Sequence, residues 1–106
     1  MVIPFPKPAS VVIVYLKEPR ERFWGLVRSL DGTGLVVQGV DLDSFDDCVR
    51  QIAESRGTAH MSMVFFPLLR IEKILADTPN GSIPAMHDHF VKRVGRSLAD
   101  VLGEQP

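Results

Sequence analysis

Apolar residues recur along this chain in two rhythms, one of strands and one of helices. From Ala9 to Lys17 the run Val-Val-Ile-Val-Tyr-Leu is β-branched and aromatic, with no glycine or proline inside it. Such a run predicts a short strand covered on both faces. Glu18-Pro19-Arg20 makes the turn after it. A second strand follows over Arg22 to Leu30, with Phe23, Gly25, Val27 and Ser29 on one face and Trp24, Leu26, Arg28 and Leu30 on the other. Asp31-Gly32-Thr33-Gly34 is a hairpin signal, because Asp-Gly tolerates the backbone angles of tight turns. Leu35 to Leu42 is the third strand, with Gly39 as a bulge or close-packing point.

At Ser44 the period changes. Phe45, Cys48, Val49, Ile52 and Ala53 recur as the apolar stripe of a surface helix. Ser44 is the expected N-cap, Asp46 and Asp47 suit the positive end of the helix dipole, and Arg56-Gly57 closes the last turn. Ser62 to Phe66 and Leu68 to Leu75 then predict two strands, or one long strand bent at Pro67. Proline has no ladder donor and belongs at an edge, bulge or bend. Beyond it, Leu69, Ile71, Lys73 and Leu75 alternate with Leu68, Arg70, Glu72 and Ile74. Thr78-Pro79-Asn80-Gly81 is a turn cluster. Pro84 opens a helix with Met86, Phe90, Val91 and Val94 on one face, and Gly95 ends it. Ser97-x-x-Asp100 caps a short final helix, Leu98 to Leu102.

The order is β-β-β-α-β-β-α in one domain of 106 residues, without crossover spacing between parallel strands. Residues 1–8, with prolines at 4, 6 and 8, form an extended arm whose Ile3 and Phe5 pack on the body or on a neighbouring subunit. Residues 9–75 carry five strands with a helix inserted at about 44–56, and residues 83–103 form a C-terminal helical segment. So many short antiparallel strands predict an α+β fold: a small, strongly bent sheet curling into a five-stranded barrel of SH3-like type.

Composition narrows the function more than it defines it. The chain is 45% hydrophobic, and twelve Lys and Arg against thirteen Asp and Glu leave a formal charge of −1. That balance argues against a dedicated phosphate-backbone binder, though a local basic patch stays open. A single cysteine rules out an internal disulfide and a cysteine-rich zinc site. No apolar run approaches the roughly 20 residues of a membrane-spanning helix, and the proline-rich start is unlike a secretory signal, so the expected setting is cytoplasmic.

Candidate chemistry is sparse. His87 and His89 lie two apart on a predicted helix, about 200° from one another, and cannot share an ion within one chain. Asp41, Asp43, Asp46 and Asp47 lack the glycine and glutamate of a calcium loop and are explained by the helix N-terminus beside them. Cys48 falls on the apolar stripe as an inert thiol. Gly32-x-Gly34 and Gly57 are too sparse to cradle phosphate, and Ser29, Ser55, Ser62 and the three histidines offer no nucleophile-elbow glycine pattern. No catalytic, cofactor-binding or metal residue is assigned. A cleft formed by His60, His87 and a carboxylate would be needed to revive an enzyme. Arg20, Arg22 and Arg28 near Phe23 and Trp24 suggest a surface for single-stranded nucleic acid, weakened by the interleaved Glu18 and Glu21.

The stretch Phe23-Trp24-Gly25-Leu26-Val27-Arg28-Ser29-Leu30-Asp31 resembles the first signature of Sm-like proteins, the small-barrel group that includes bacterial Hfq. There a second-strand glycine is followed six residues later by an aspartate at the next turn, as Gly25 is by Asp31. Val64 to Ile74 occupies the place of the family's fourth and fifth strands. The likeness covers about residues 9–75. It implies a ring in which the fourth strand of one subunit pairs with the fifth of the next. It also implies RNA binding by the barrel loops, for which Arg20, Arg22, Arg28, Asp31 and Arg70 are the candidate contacts. Two departures count against the family's uridine pocket: no asparagine stands near Leu35, and the Arg-Gly of the second signature is replaced around Pro67 to Arg70.

The leading expectation is therefore a non-enzymatic homo-oligomer, with Phe5, Phe65, Phe66, Leu69, Ile71 and Phe90 as candidate interface residues. RNA binding and a role as a protein-interaction adaptor are the alternatives.

Overall fold

The computed structural model describes residues 5–55 and 61–103. Five strands form one antiparallel sheet: β1 (Val11–Leu16), β2 (Glu21–Leu30), β3 (Gly34–Asp41), β4 (Ser62–Pro67) and β5 (Ile71–Ala76). Their spatial order is β4-β3-β2-β1-β5. Helix α1 (Phe45–Ser55) is inserted between β3 and β4, and α2 (Met86–Val94) and α3 (Leu98–Leu102) follow the sheet.

Both faces of the sheet are buried, each in its own way. Trp24, Leu26, Val11, Ile13 and Val40 form the outer face, packed against Phe45, Val49 and Ile52 of α1, Phe90 of α2, and Leu98, Val101 and Leu102 of α3. Trp24 is the centre of this layer, edge-on to Phe45 at 4.9 Å and 5.5 Å from Phe90. The inner face carries Val12, Val14, Leu16, Phe23, Val27, Leu35 and Val37, joined by Val64, Phe66, Ile71 and Ile74. These residues come from all five strands, and among the described residues Phe5 of the arm joins them from elsewhere. A sheet face that buries itself without a second layer must be curled.

Two glycines permit the curl. Gly25 and Gly39 face each other across β2 and β3. The carbonyl oxygen of Gln38 stands where a Cβ on Gly25 would go, and that of Trp24 where one on Gly39 would go. The ladder slips between Val27 and Ser29, adding a bulge that sharpens the bend. The short 3-10 turn Leu68–Arg70 then clasps the two ends. Leu68 N–H donates to Thr33 O at 3.1 Å, and Lys17 N–H donates to Arg70 O at 2.9 Å.

The sheet is curled but not closed into the expected barrel. The 3-10 turn replaces a hairpin between β4 and β5, so β5 crosses to pair with β1 and the two strands are not hydrogen-bonded to each other. Leu68 and Arg70, read as strand, belong to that turn. A bulge opposite Tyr15 and Leu16 also shifts the alternation of β5, so Ile71 and Ile74 face inward together. At the other insertion, α1 is entered through a 3-10 turn, Leu42–Ser44, capped by Asp41, whose Oδ1 accepts from Asp43 N–H at 2.9 Å. Ser44, expected to cap, lies inside that turn. Arg56, Gly57 and Ile3 lie outside the described residues. The C-terminal features follow the local signals: Gly95 ends α2 in a left-handed conformation, and Ser97 Oγ accepts from Asp100 N–H at 3.0 Å to cap α3.

Candidate functional site

Curling without closure leaves β4 and β5 as edges, each of six residues and each, among the described residues, paired on one side only. An unpaired strand edge is a template for another strand, and natural proteins blunt such edges with charge or cover. The two edges differ. β5 carries Glu72 and Lys73, whereas Ser62 to Leu69 contains no charge at all. Along β4 the inward Val64 and Phe66 pack on the inner core, with Phe66 edge-on to Phe23 at 5.4 Å. Met63 and Phe65 remain 57% and 51% exposed, and Leu69, in the following turn, is 88% exposed.

The candidate interface residues therefore divide. Phe65 and Leu69 are free to meet a partner. Phe5, Phe66 and Ile71 are half-buried against the protein's own inner core. Phe90 was expected at a subunit boundary and is instead fully buried, because the face of α2 that carries it closes on Trp24. Met63 and Leu68, which the sequence reading did not single out, are exposed as well. The period-two alternation in Ser62 to Phe66 was the signal that could have placed Met63 beside Phe65.

An open cleft of about 510 Å³ lies at the end of β1, β2 and β5. Tyr15 forms its apolar wall, with Lys73 Nζ 4.7 Å from the ring centroid. Arg20, Arg22 and Lys73 line it together with Glu21, Asp41, Asp43 and Glu72, so acidic groups outnumber basic ones. No anion finds an uncompensated positive field there.

The nucleic-acid candidates divide: Arg20, Arg22 and Arg70 gather about the β1–β2 turn, and Arg28 and Asp31 lie elsewhere. Arg20 and Arg22 line this cleft, and Arg22 stands 3.9 Å from Asp43 in an exposed pair. Arg70 donates to Glu18 O and to the Glu21 carboxylate, each at 3.0 Å, tying the 3-10 turn to the β1–β2 turn. Arg28 lies further along β2, where both Nε and Nη2 donate to Gln38 Oε1 at 3.1 and 2.7 Å. Asp31 closes the β2–β3 turn: its Oδ1 accepts from the Thr33 hydroxyl at 2.6 Å, from Thr33 N–H at 2.8 Å and from Gly34 N–H at 3.3 Å.

Those bonds, the Thr33 hydroxyl first and the two backbone N–H groups after it, hold the Asp31 carboxyl below the ordinary carboxylate value. The fold favours the charged form, so its contribution is complete above the unfolded titration and fades as pH falls through the lowered native one. The urea midpoint of wild type is expected to exceed that of Asp31→Asn by a constant margin near neutrality. That margin should shrink between about pH 5 and about pH 2. A margin independent of pH would contradict this role.

The remaining reactive groups are structural. Burial pushes the Cys48 thiol up, which disfavours the thiolate a nucleophile requires. His89 packs its ring 5.9 Å from Phe45, and His60 lies outside the described residues. Asp77 anchors α2: its Oδ1 accepts from Met86 N–H at 2.9 Å, and its Oδ2 from His87 N–H at 2.7 Å and from the Trp24 indole at 2.9 Å. Among the described residues no three His, Cys, Asp or Glu side chains gather as a metal site, and no helix is long and apolar enough to cross a membrane.

Comparison with protein-family models, curated proteins and solved structures finds no match to this chain. The site is therefore read from its own geometry.

Proposed function

We propose that this protein is a non-enzymatic, Sm-like small-barrel protein whose function is assembly: copies join edge to edge, β4 of one subunit on β5 of the next, into a closed ring. The observation that carries this reading is the pair of free edges, equal in length and borne on opposite sides of one curled sheet. An edge-to-edge contact between unlike strands is heterologous, and repeated copies then close into a ring when the rotation per subunit allows. It would satisfy the backbone groups that both edges leave unpaired. It would also cover the uncharged strip of β4, including Phe65 and Met63. The resemblance in Gly25 and Asp31 supports the same pairing, because Sm-like rings use these two strands.

RNA binding has less to stand on. Arg70 and Arg28 are committed to protein acceptors, and the cleft beside Arg20 and Arg22 has more acidic than basic groups. Nothing in the described geometry favours an enzyme.

The test is a double substitution on the exposed side of β4, Met63→Lys with Phe65→Lys. Neither side chain belongs to either core, so the subunit is expected to fold with an unchanged far-ultraviolet circular dichroism spectrum. Light scattering should show wild type as a multiple of 11.8 kDa and the variant as a single chain. An assembled variant would remove β4 from the interface.

A further inference from the structure

We infer that His87 is a proton-sensitive latch that holds the C-terminal helix α3 on the body of the protein. Its Nε2 accepts a hydrogen bond from the backbone N–H of Leu98, the first residue of α3, at 3.0 Å. An imidazole accepts at one nitrogen only while neutral, with its proton on the other. The ring has little freedom to turn away. It lies parallel to Phe90, with centroids 6.1 Å apart and planes 9° from parallel. Its main chain is pinned by Asp77, the same carboxylate that holds Trp24.

The helix it holds cannot stand alone. α3 has five residues, far below the length at which a helix persists in water. It remains folded because Leu98, Val101 and Leu102 are buried on the outer face and because its first turn is capped. Ser97 caps Asp100 N–H, which leaves Leu98 N–H to His87. When the imidazole takes up a second proton, both ring nitrogens become donors and two N–H groups oppose each other. The cap is lost and α3 opens.

The surrounding charges bear on this in identifiable ways. From the β5–α2 connection Asp77 meets the backbone of His87. Within α2, Asp88 is occupied by Ala85 N–H at 3.0 Å. From the α2–α3 connection Arg96 donates to Asp100 O at 2.7 Å, and the Asp100 carboxylate stands in the first turn of α3. The sheet contributes Trp24, which is uncharged, and α1 meets the neighbouring His89 through Phe45.

The test is hydrogen exchange of the full chain, read as α3 protection after correction for intrinsic rates, between about pH 8 and about pH 5, where histidine ordinarily changes charge. Wild type should lose roughly tenfold in α3 protection on acidification, the size expected when a hydrogen-bond donor loses its acceptor. The sheet amides should keep theirs. His87→Gln, whose carboxamide oxygen accepts without titrating, should hold α3 at both ends of the range. His87→Ala should leave it open at both, and His89→Gln should behave as wild type. Protection that does not change with pH in wild type, a pH response that persists in His87→Gln, or full protection in His87→Ala would each overturn the inference. A response driven by Asp77 or Asp100 would show itself as the second of these.

Discussion

Gly39→Ala is expected to cost more than about 3 kcal/mol, above the usual range for overpacking a core. The added Cβ would fall on the Trp24 carbonyl and 2.6 Å from the Gly25 Cα. These are backbone atoms in the middle of the β2–β3 ladder, and no rotamer change can clear them. Neither Gly25 nor Gly39 has a left-handed backbone, so space alone is at issue. Gly25→Ala meets the same wall from the other side, against Gln38. Gly32 supplies the control, because a Cβ there meets nothing within 4 Å. Gly32→Ala should change stability by less than about 0.5 kcal/mol. Urea unfolding followed by the fluorescence of the single tryptophan reads all three. Equal stabilities for Gly39→Ala and Gly32→Ala would mean that the strands do not approach as described.

The second large effect belongs to Phe90→Ala, expected to cost roughly 3–5 kcal/mol, the range for removing a fully buried aromatic ring. Phe90 touches both Trp24 and His87, so its loss opens a cavity at the junction of α2 with the sheet. The cost should be independent of protein concentration, because the ring is buried within one subunit. Were Phe90 at a subunit boundary instead, truncation would lower the assembled mass.

Strand and helix positions were largely legible because their signals are local. The run Val11–Leu16, the Asp31-Gly32 turn, the stripe from Phe45 to Ile52 and the Ser97 cap each predict a neighbourhood of a few residues. What escaped depends on contacts far apart in sequence. Phe90 lies on an amphipathic face that periodicity can identify, but periodicity does not say which surface covers it. Asp77 was not singled out in the sequence, yet its carboxylate meets Trp24 across 53 positions. The bulge at Tyr15 and Leu16, which brings Ile71 to the same face as Ile74, arises from pairing with a neighbouring strand and leaves no trace in the sequence of β5.

The open edges had the same origin. Barrel closure was expected from strand count and turn spacing, but closure depends on where β5 finds its partner. The 3-10 turn Leu68–Arg70, held at Thr33 and Lys17, sends it to β1. The exposed half of the candidate interface could have been read from the uncharged segment Met61 to Leu69. Its buried half, Phe66 and Ile71, could be assigned only once the curl was known.

Assembly through these edges is most directly tested by the mass of the unmodified protein in solution. Light scattering at micromolar concentration should give a discrete multiple of the 11.8 kDa chain that survives moderate dilution. A monodisperse single chain over the same range would contradict edge-to-edge assembly and leave the strip along β4 without its partner.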